Sequence, residues 1–191
     1  MSFYSFSVSG TFDSSKNINQ NTVMKQIENL RDLLIEQGRE LQSAEKQQLT
    51  DLPMIEKQAS SRALKKIINK QIDKTKNQQI RIKQVFQKLN ASLEGQQSEP
   101  YNALVNFCFN LIEDCTDYDI RDVAIINGIQ HINRHKIAGY GTIAAYAEEI
   151  GNQDAASLLH ESLKDEKSIY CELRDLAINE VNKAAAVPVI A

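Results

Sequence analysis

The sequence has 191 residues, of which 42% are hydrophobic and 25% are charged, which is sufficient for one globular domain with a sizeable core. The formal net charge of −3 argues against an overall basic field for nucleic acid. Only 3 prolines and 7 glycines favour a mostly helical chain. The N-terminus lacks the charge and apolar run of a secretory signal, and no apolar run approaches the ~18 residues of a transmembrane helix. We therefore expect a cytoplasmic protein with neither membrane nor nucleic acid as a partner.

The two ends of the chain differ from its middle. Over residues 1–18 apolar and hydroxyl residues alternate, with Tyr4, Phe6 and Val8 between serines, a period of two that is typical of a strand or extended arm. Residues 184–191 (AAAVPVIA) are also apolar, and Pro188 disfavours helix there. The sequence thus predicts an N-terminal arm (1–18), a bundle (19–183) and an apolar tail (184–191). The arms either fold back over their own bundle or are exchanged between subunits by β-pairing or groove docking.

Five helical segments follow one another between these ends. Apolar residues recur every three or four positions in each long segment, as in a helix with one buried face. Ser98 and Pro100 form a good helix start, and Gly151 can end a helix in the left-handed conformation. The predicted helices cover residues 21–49, 61–89, 98–114, 119–150 and 152–182. The fold class is therefore all-α: a four-helix bundle with an additional short helix and extended apolar arms.

Two carboxylates interrupt the apolar stripes, Glu45 in the first helix and Glu166 in the last. A charge on a buried stripe is costly unless it is paired or binds a metal. One interpretation is a remnant of a carboxylate-bridged metal site. The other is that each carboxylate lies at the edge of its stripe or pairs with a lysine, and Lys74 of the second helix is the candidate cation.

Amides and cations occupy the other positions at this depth. The second helix offers Gln71, Thr75 and Gln78 beside Lys74, and the fourth offers residues 133–136 (NRHK). Iron and manganese prefer carboxylate and imidazole to these groups. His131 and His135 have the i, i+4 spacing of a metal-binding pair, but no carboxylate adjoins them, so interhelical or surface histidines are the simpler interpretation.

Several segments resemble the YciE/YciF-type stress proteins, a bacterial family of the ferritin-like superfamily. The similarity extends over about residues 25–183, and the combination of an Ala-Gly-Tyr-Gly-Thr segment with a downstream Glu-Lys and Leu-Ala-Ile-Asn is fairly specific. The segments that carry it are 43–47 (SAEKQ), 121–124 (RDVA), 136–142 (KIAGYGT), 161–167 (ESLKDEK) and 176–183 (LAINEVNK). The resemblance implies a ferritin-like bundle, a dimer, and a di-metal site of Glu and His on the inner faces.

The chain departs from the family pattern at most of the ligand positions that the resemblance implies. Glu45 and Glu166 match family acids. The other positions fall on Lys70, Gln71 and Lys74 of the second helix, on Asn102 and Asn106 of the third, and on residues 133–136 of the fourth. At most two strong ligands remain where a di-metal site needs about six. We therefore expect Lys74 to replace the charge of the metal, and Asn102, Asn106 and Asn133 to replace ligands by neutral hydrogen bonding.

Three functions remain open from the sequence. The first is a non-catalytic ferritin-like protein that acts as a structural or self-assembling subunit, without a cofactor, in a homo-oligomer whose arms form subunit contacts. The second is an iron- or manganese-binding protein that handles iron or peroxide with Glu45, Glu166, Glu161 and His135 as ligands. The third is a binding module for a small ligand or a partner protein.

Overall fold

The computed structural model describes residues 27–186, so the predicted arm at 1–18 lies outside the described residues, as does the tail from residue 187 onward. Within 27–186 the structure is entirely helical. In chain order the helices are α1 (Leu30–Gln58), α2 (Arg62–Lys88), α3 (Glu99–Asp114), α4 (Tyr118–Glu149) and α5 (Gln153–Leu176). A π-helical turn (Ala177–Val181) and α6 (Asn182–Ala185) complete the last segment, so helix extends into the first two positions of the predicted tail. The five predicted helices and the all-α fold are confirmed.

Side-chain caps explain where the helices begin. The side chains of Asn29, Ser61, Ser98, Asp117 and Asn152 accept hydrogen bonds from backbone N–H groups of the first turns of α1 to α5, respectively. The predicted left-handed glycine is confirmed as well, since Gly151 has φ of +78° directly after α4.

The end of the first helix was predicted wrongly. Instead of ending at residue 49, α1 continues through Pro53 to Gln58. A proline inside a helix removes one hydrogen bond and costs about 3 kcal/mol. Leu52 and Ile55, which flank it, are fully buried, and burying a side chain of this size contributes about 1.5–3 kcal/mol. Burial on both sides of the proline therefore offsets its cost.

The four long helices form a ring. In it α1 packs on α2 and α4, and α5, which lies opposite α1, also packs on α2 and α4. Ion pairs such as Lys70–Glu172 and Lys88–Asp154 show that α2 and α5 are antiparallel. The contacts Gln71–Asn133 and Gln78–Lys136 show that α2 and α4 run parallel. The chain must therefore return along the bundle between them, and α3 lies in that return, against α4. One long crossover of this kind is the topology of ferritin-like bundles.

Glycines allow two close approaches to α4. A Cβ at Gly128 would lie 2.3 Å from the Cys108 sulfur, so α3 and α4 could not pack as they do with any larger residue there. A Cβ at Gly139 would lie 2.8 Å from a methyl group of Leu41 in α1. α4 remains continuous at Gly139, and the close contact with α1 is what the glycine permits.

Two apolar clusters fill the bundle. One surrounds Ile68, Ile132 and Ile169, and the other surrounds Ile82 and Leu159 nearer the opposite end. Buried polar side chains lie between these clusters, and they form the site described next.

Candidate functional site

The centre of the bundle is polar. We call the following residues the polar layer; each is at most 1% exposed and each lies on an inward face of α1, α2, α4 or α5. Its members are Glu45, Gln48, Gln71, Thr75, Gln78, Asn133, Lys136, Tyr140, Ser162 and Glu166. Burying so many polar groups is tolerable only where they satisfy one another.

Lys136 is at the centre of this layer. Its Nζ lies 2.9 Å from Glu45 Oε2 and 2.7 Å from Glu166 Oε1. It also donates to Gln48 Oε1 at 2.5 Å and to Gln78 Oε1 at 3.3 Å. One ammonium thus joins two carboxylates and two amide oxygens that come from the three other long helices. An ammonium has three N–H groups, so the long Gln78 contact shares a donor with a shorter one.

Helical periodicity explains why Lys136 is buried. Ile132 precedes it by four residues and Tyr140 follows it by four, and both are completely buried. Residues four apart lie on one helix face. Lys136 therefore replaces an apolar residue in the inward stripe of α4. Its spacing of four residues from Ile132 and from Tyr140 is the signal in the sequence that identifies it as a buried cation.

Further hydrogen bonds fix the two carboxylates. The Tyr140 hydroxyl donates to Glu45 Oε1 at 2.7 Å, and the Gln78 amide donates to Glu166 Oε1 at 2.8 Å. Gln78 is itself held, since its oxygen accepts from Lys136. These bonds orient both acids towards the ammonium, as a buried ion pair requires.

The electrostatics of the layer follow from two carboxylates facing one ammonium. Burial raises the pKa of Glu45 to about 7; Lys136 opposes that rise and the nearby Glu166 adds to it. Burial alone lowers the pKa of Lys136, but the attraction of Glu166 and Glu45 outweighs burial and holds the pKa above its usual value. Lys136 therefore stays charged. Because two acids share this one cation, Glu45 can take up a proton near neutral pH.

A second pair of amides lies one turn away. Gln71 Nε2 donates to Asn133 Oδ1 at 3.1 Å, and both side chains are fully buried. The prediction that Asn133 hydrogen-bonds inside the bundle is therefore confirmed. Asn102 also makes a hydrogen bond, from Gln47, but it is only partly buried at the edge of the bundle, and Asn106 is exposed. Neither Asn102 nor Asn106 belongs to the centre.

The prediction that Lys74 pairs with Glu45 or Glu166 was wrong. Lys74 forms an ion pair with Asp165, outside the polar layer, where Arg81 also binds Asp165 at 2.7 Å. Thr75 is the residue of this turn that faces inward. One position along a helix turns a side chain by about 100°, so Lys74 points away from the two buried acids.

Glu45 and Glu166 come together at the centre, but the two possible additional ligands do not join them. Glu161 has a side chain that is 60% exposed and pairs with Arg81. His135 contacts Glu40 at 3.2 Å. His131, its partner at i, i+4, instead stacks edge-on against Phe107, with ring centroids 5.5 Å apart. Within residues 27–186 there is no group of three His, Cys, Asp or Glu side chains that could hold a metal ion.

The residues of the polar layer do not fit the di-metal centre that the family resemblance implies. Such a centre takes about six carboxylate and imidazole ligands. The layer offers two carboxylates, and the Lys136 ammonium occupies the space between them at hydrogen-bond distance from both. A metal ion there would meet the fixed positive charge of the Lys136 ammonium. The side chains of the polar layer suit the ammonium of Lys136 and do not suit a bound metal ion.

No helix in the described part of the chain combines the length and apolar character needed to cross a membrane.

Comparison with known proteins identifies the family. Residues 29–186 match the family described as a domain of unknown function, DUF892. The chain is 34% identical to Protein YciF of Escherichia coli K12 over 163 residues, covering 85% of this chain and 96% of that protein.

Solved structures agree with this assignment. The crystal structure of the E. coli stress protein YciF superposes with a TM-score of 0.79 at 32% identity, covering 82% of this chain and 99% of that one. A protein from Rhodopseudomonas palustris, described as YcfI, a putative structural protein, gives a TM-score of 0.77 at 30% identity, covering 79% and 96%. The ferritin-like fold expected from the sequence is thus confirmed, and the chain belongs to the DUF892 family of YciF-like stress proteins.

Proposed function

We propose that this protein is a non-catalytic, metal-independent member of its family that acts as a structural, self-assembling subunit. The observation that carries the proposal is the position of Lys136, whose ammonium lies between Glu45 and Glu166. In a ferritin-like bundle, metal ions bound between facing acids draw the helices together. Here a cation that belongs to the chain itself supplies that attraction, so the bundle needs no metal to close.

Two features support a role in assembly. The sequence carries apolar residues before and after the bundle, and the period of two in residues 1–18 suits strand addition to another subunit. The R. palustris relative is described as a putative structural protein, which is consistent with such a role in the family. A homo-oligomer joined by its arms would use the bundle as a rigid body that does not depend on metal supply.

Metal content tests the metal-independent part of the proposal. The full chain is purified without an affinity tag from cells grown in iron- and manganese-rich medium, and both metals are quantified per chain by mass spectrometry. We expect less than about 0.1 metal ion per chain. The double variant Lys136→Glu, Asn133→Glu restores acids at two inward positions and serves as the matched comparison. Near-stoichiometric metal in the unmodified protein would overturn the proposal and favour an iron- or manganese-handling function.

The mass of the particle in solution tests the assembly part. Light scattering is measured on the full chain, on a chain lacking residues 2–12, and on a chain lacking residues 184–191. We expect an oligomer that dissociates when either segment is removed, while the helical content by circular dichroism stays unchanged. A monomeric full chain, or a particle mass that neither deletion alters, would contradict a role of the arms in assembly.

A further inference from the structure

Four polar atoms of the polar layer have no hydrogen-bond partner among the described residues. They are Gln48 Nε2, Gln71 Oε1, Asn133 Nδ2 and Glu166 Oε2, and each of the four long helices contributes one. All four residues are at most 1% exposed, so bulk water does not reach them. A buried polar atom without a partner costs about 1–3 kcal/mol. Four such atoms in one layer therefore point to a partner that is not a side chain of the bundle.

The four residues are neighbours. Gln48 and Glu166 both contact the Lys136 ammonium, and Gln71 is hydrogen-bonded to Asn133. Asn133 precedes Lys136 by three residues on the same face of α4. A rise of 1.5 Å per residue separates those two levels by about 4.5 Å. One water molecule joins polar atoms across such a gap, since each of its hydrogen bonds spans about 2.8 Å.

The chemistry of the four atoms defines the ligand. Gln48 presents an N–H group, because its oxygen already accepts from Lys136 and Thr75. In the Gln71–Asn133 pair, the NH2 group of one amide donates to the oxygen of the other. One NH2 group and one oxygen therefore remain to face a ligand, and this holds also if both amides are flipped. The carboxylate Glu166 presents an acceptor. The site therefore offers two donors and two acceptors.

We propose that the polar layer binds a single internal water molecule between Gln48, Gln71, Asn133 and Glu166. Water accepts two hydrogen bonds and donates two, which is the complement of these four atoms. A metal ion or an alkali cation would face the two N–H donors and the nearby Lys136 ammonium. Buried waters in proteins make about three bonds each to polar groups of this kind.

A crystal structure of the full chain tests this assignment. Data beyond about 1.8 Å resolution are collected at pH 7 on crystals of protein from iron-rich medium, prepared without chelator, with anomalous data at the iron edge. We expect one density peak within 3.2 Å of at least three of the four atoms, without anomalous signal. If the peak is absent because the four side chains bond to one another directly, the inference is wrong while the proposed function stands. A peak with anomalous signal at metal–ligand distances would overturn both.

Nuclear magnetic resonance provides a second readout that does not depend on crystals. A long-lived internal water gives cross-peaks of opposite sign in NOESY and ROESY spectra to the side-chain amide protons of Gln48 and Asn133. The Lys74→Met variant changes the neighbouring residue of α2, which points away from the layer, and serves as the control. We expect the water peaks of Gln48 to persist in Lys74→Met and to vanish in Asn133→Leu. Water peaks of Gln48 that persist in Asn133→Leu would refute the assignment.

Discussion

Replacing Lys136 by methionine tests the ion-pair cluster most severely. Methionine keeps the length of the side chain but removes the ammonium, which leaves Glu45 and Glu166 facing each other in a site without exposure to water. Breaking a buried ion pair by removing one partner costs about 3–5 kcal/mol. A domain has a total stability of about 5–15 kcal/mol, so we expect Lys136→Met to lose a large part of it at pH 7.

The assay is urea unfolding followed by circular dichroism, at pH 5 and at pH 8. The loss should be smaller at pH 5, because Glu45, whose pKa burial raises, takes up a proton and the repulsion between the two acids is removed. Lys74→Met is the matched control. Its partner Asp165 is partly exposed and keeps Arg81 at 2.7 Å, so we expect a cost below about 1 kcal/mol. If Lys136→Met and Lys74→Met were equally stable at pH 8, the central role of Lys136 would be refuted.

Three further predictions concern single groups. Glu45 has a pKa of about 7 in the folded protein against 4.5 in the unfolded chain, so its contribution to stability is complete below pH 4.5 and is lost as the pH rises through 7. This change amounts to about 3 kcal/mol, and unfolding curves of Glu45→Gln should lack it. A pH dependence equal to wild type would contradict the assignment. Tyr140→Phe removes the 2.7 Å bond to Glu45 and should cost about 1–3 kcal/mol in urea unfolding, whereas no loss would show that the bond is not made. Gly128→Ala places a methyl group against Cys108 and should cost about 1–3 kcal/mol, measured as a lower Tm; an unchanged Tm would mean that α3 moves freely relative to α4.

Local signals made most of the fold predictable from the sequence. The starts of α2 to α5 carry a capping residue within two positions of the expected boundary, as Ser61 and Ser98 illustrate. The start of α1 was predicted at residue 21, whereas its cap is Asn29. α1 continues beyond its predicted end because burial of Leu52 and Ile55 overrides the local preference of Pro53 against helix. Such burial depends on contacts between helices, which a single helical pattern does not contain.

The polar site was predicted only in part. Glu45 and Glu166 were identified because a lone acid on an apolar stripe is conspicuous. The choice of Lys74 as their cation failed because α2 carries many lysines, and a shift of one residue moves a side chain by about 100° around the helix. Lys136 lay among the polar residues noted on the fourth helix, and its spacing from Ile132 and Tyr140 marked it as inward-facing. Which cation meets which acid is a matter of packing between helices.

The dependence of stability on added metal tests the central claim most directly. The midpoint of urea unfolding is measured in chelator, in 1 mM Mn²⁺ and, without oxygen, in 1 mM Fe²⁺, for the wild type and for Glu45→Gln. A site with a Kd of 1 μM would add about 4 kcal/mol of stability at 1 mM metal. We predict the same midpoint in all three conditions, because the Lys136 ammonium already joins the two acids. A midpoint that rises with metal in the wild type but not in Glu45→Gln would contradict the account.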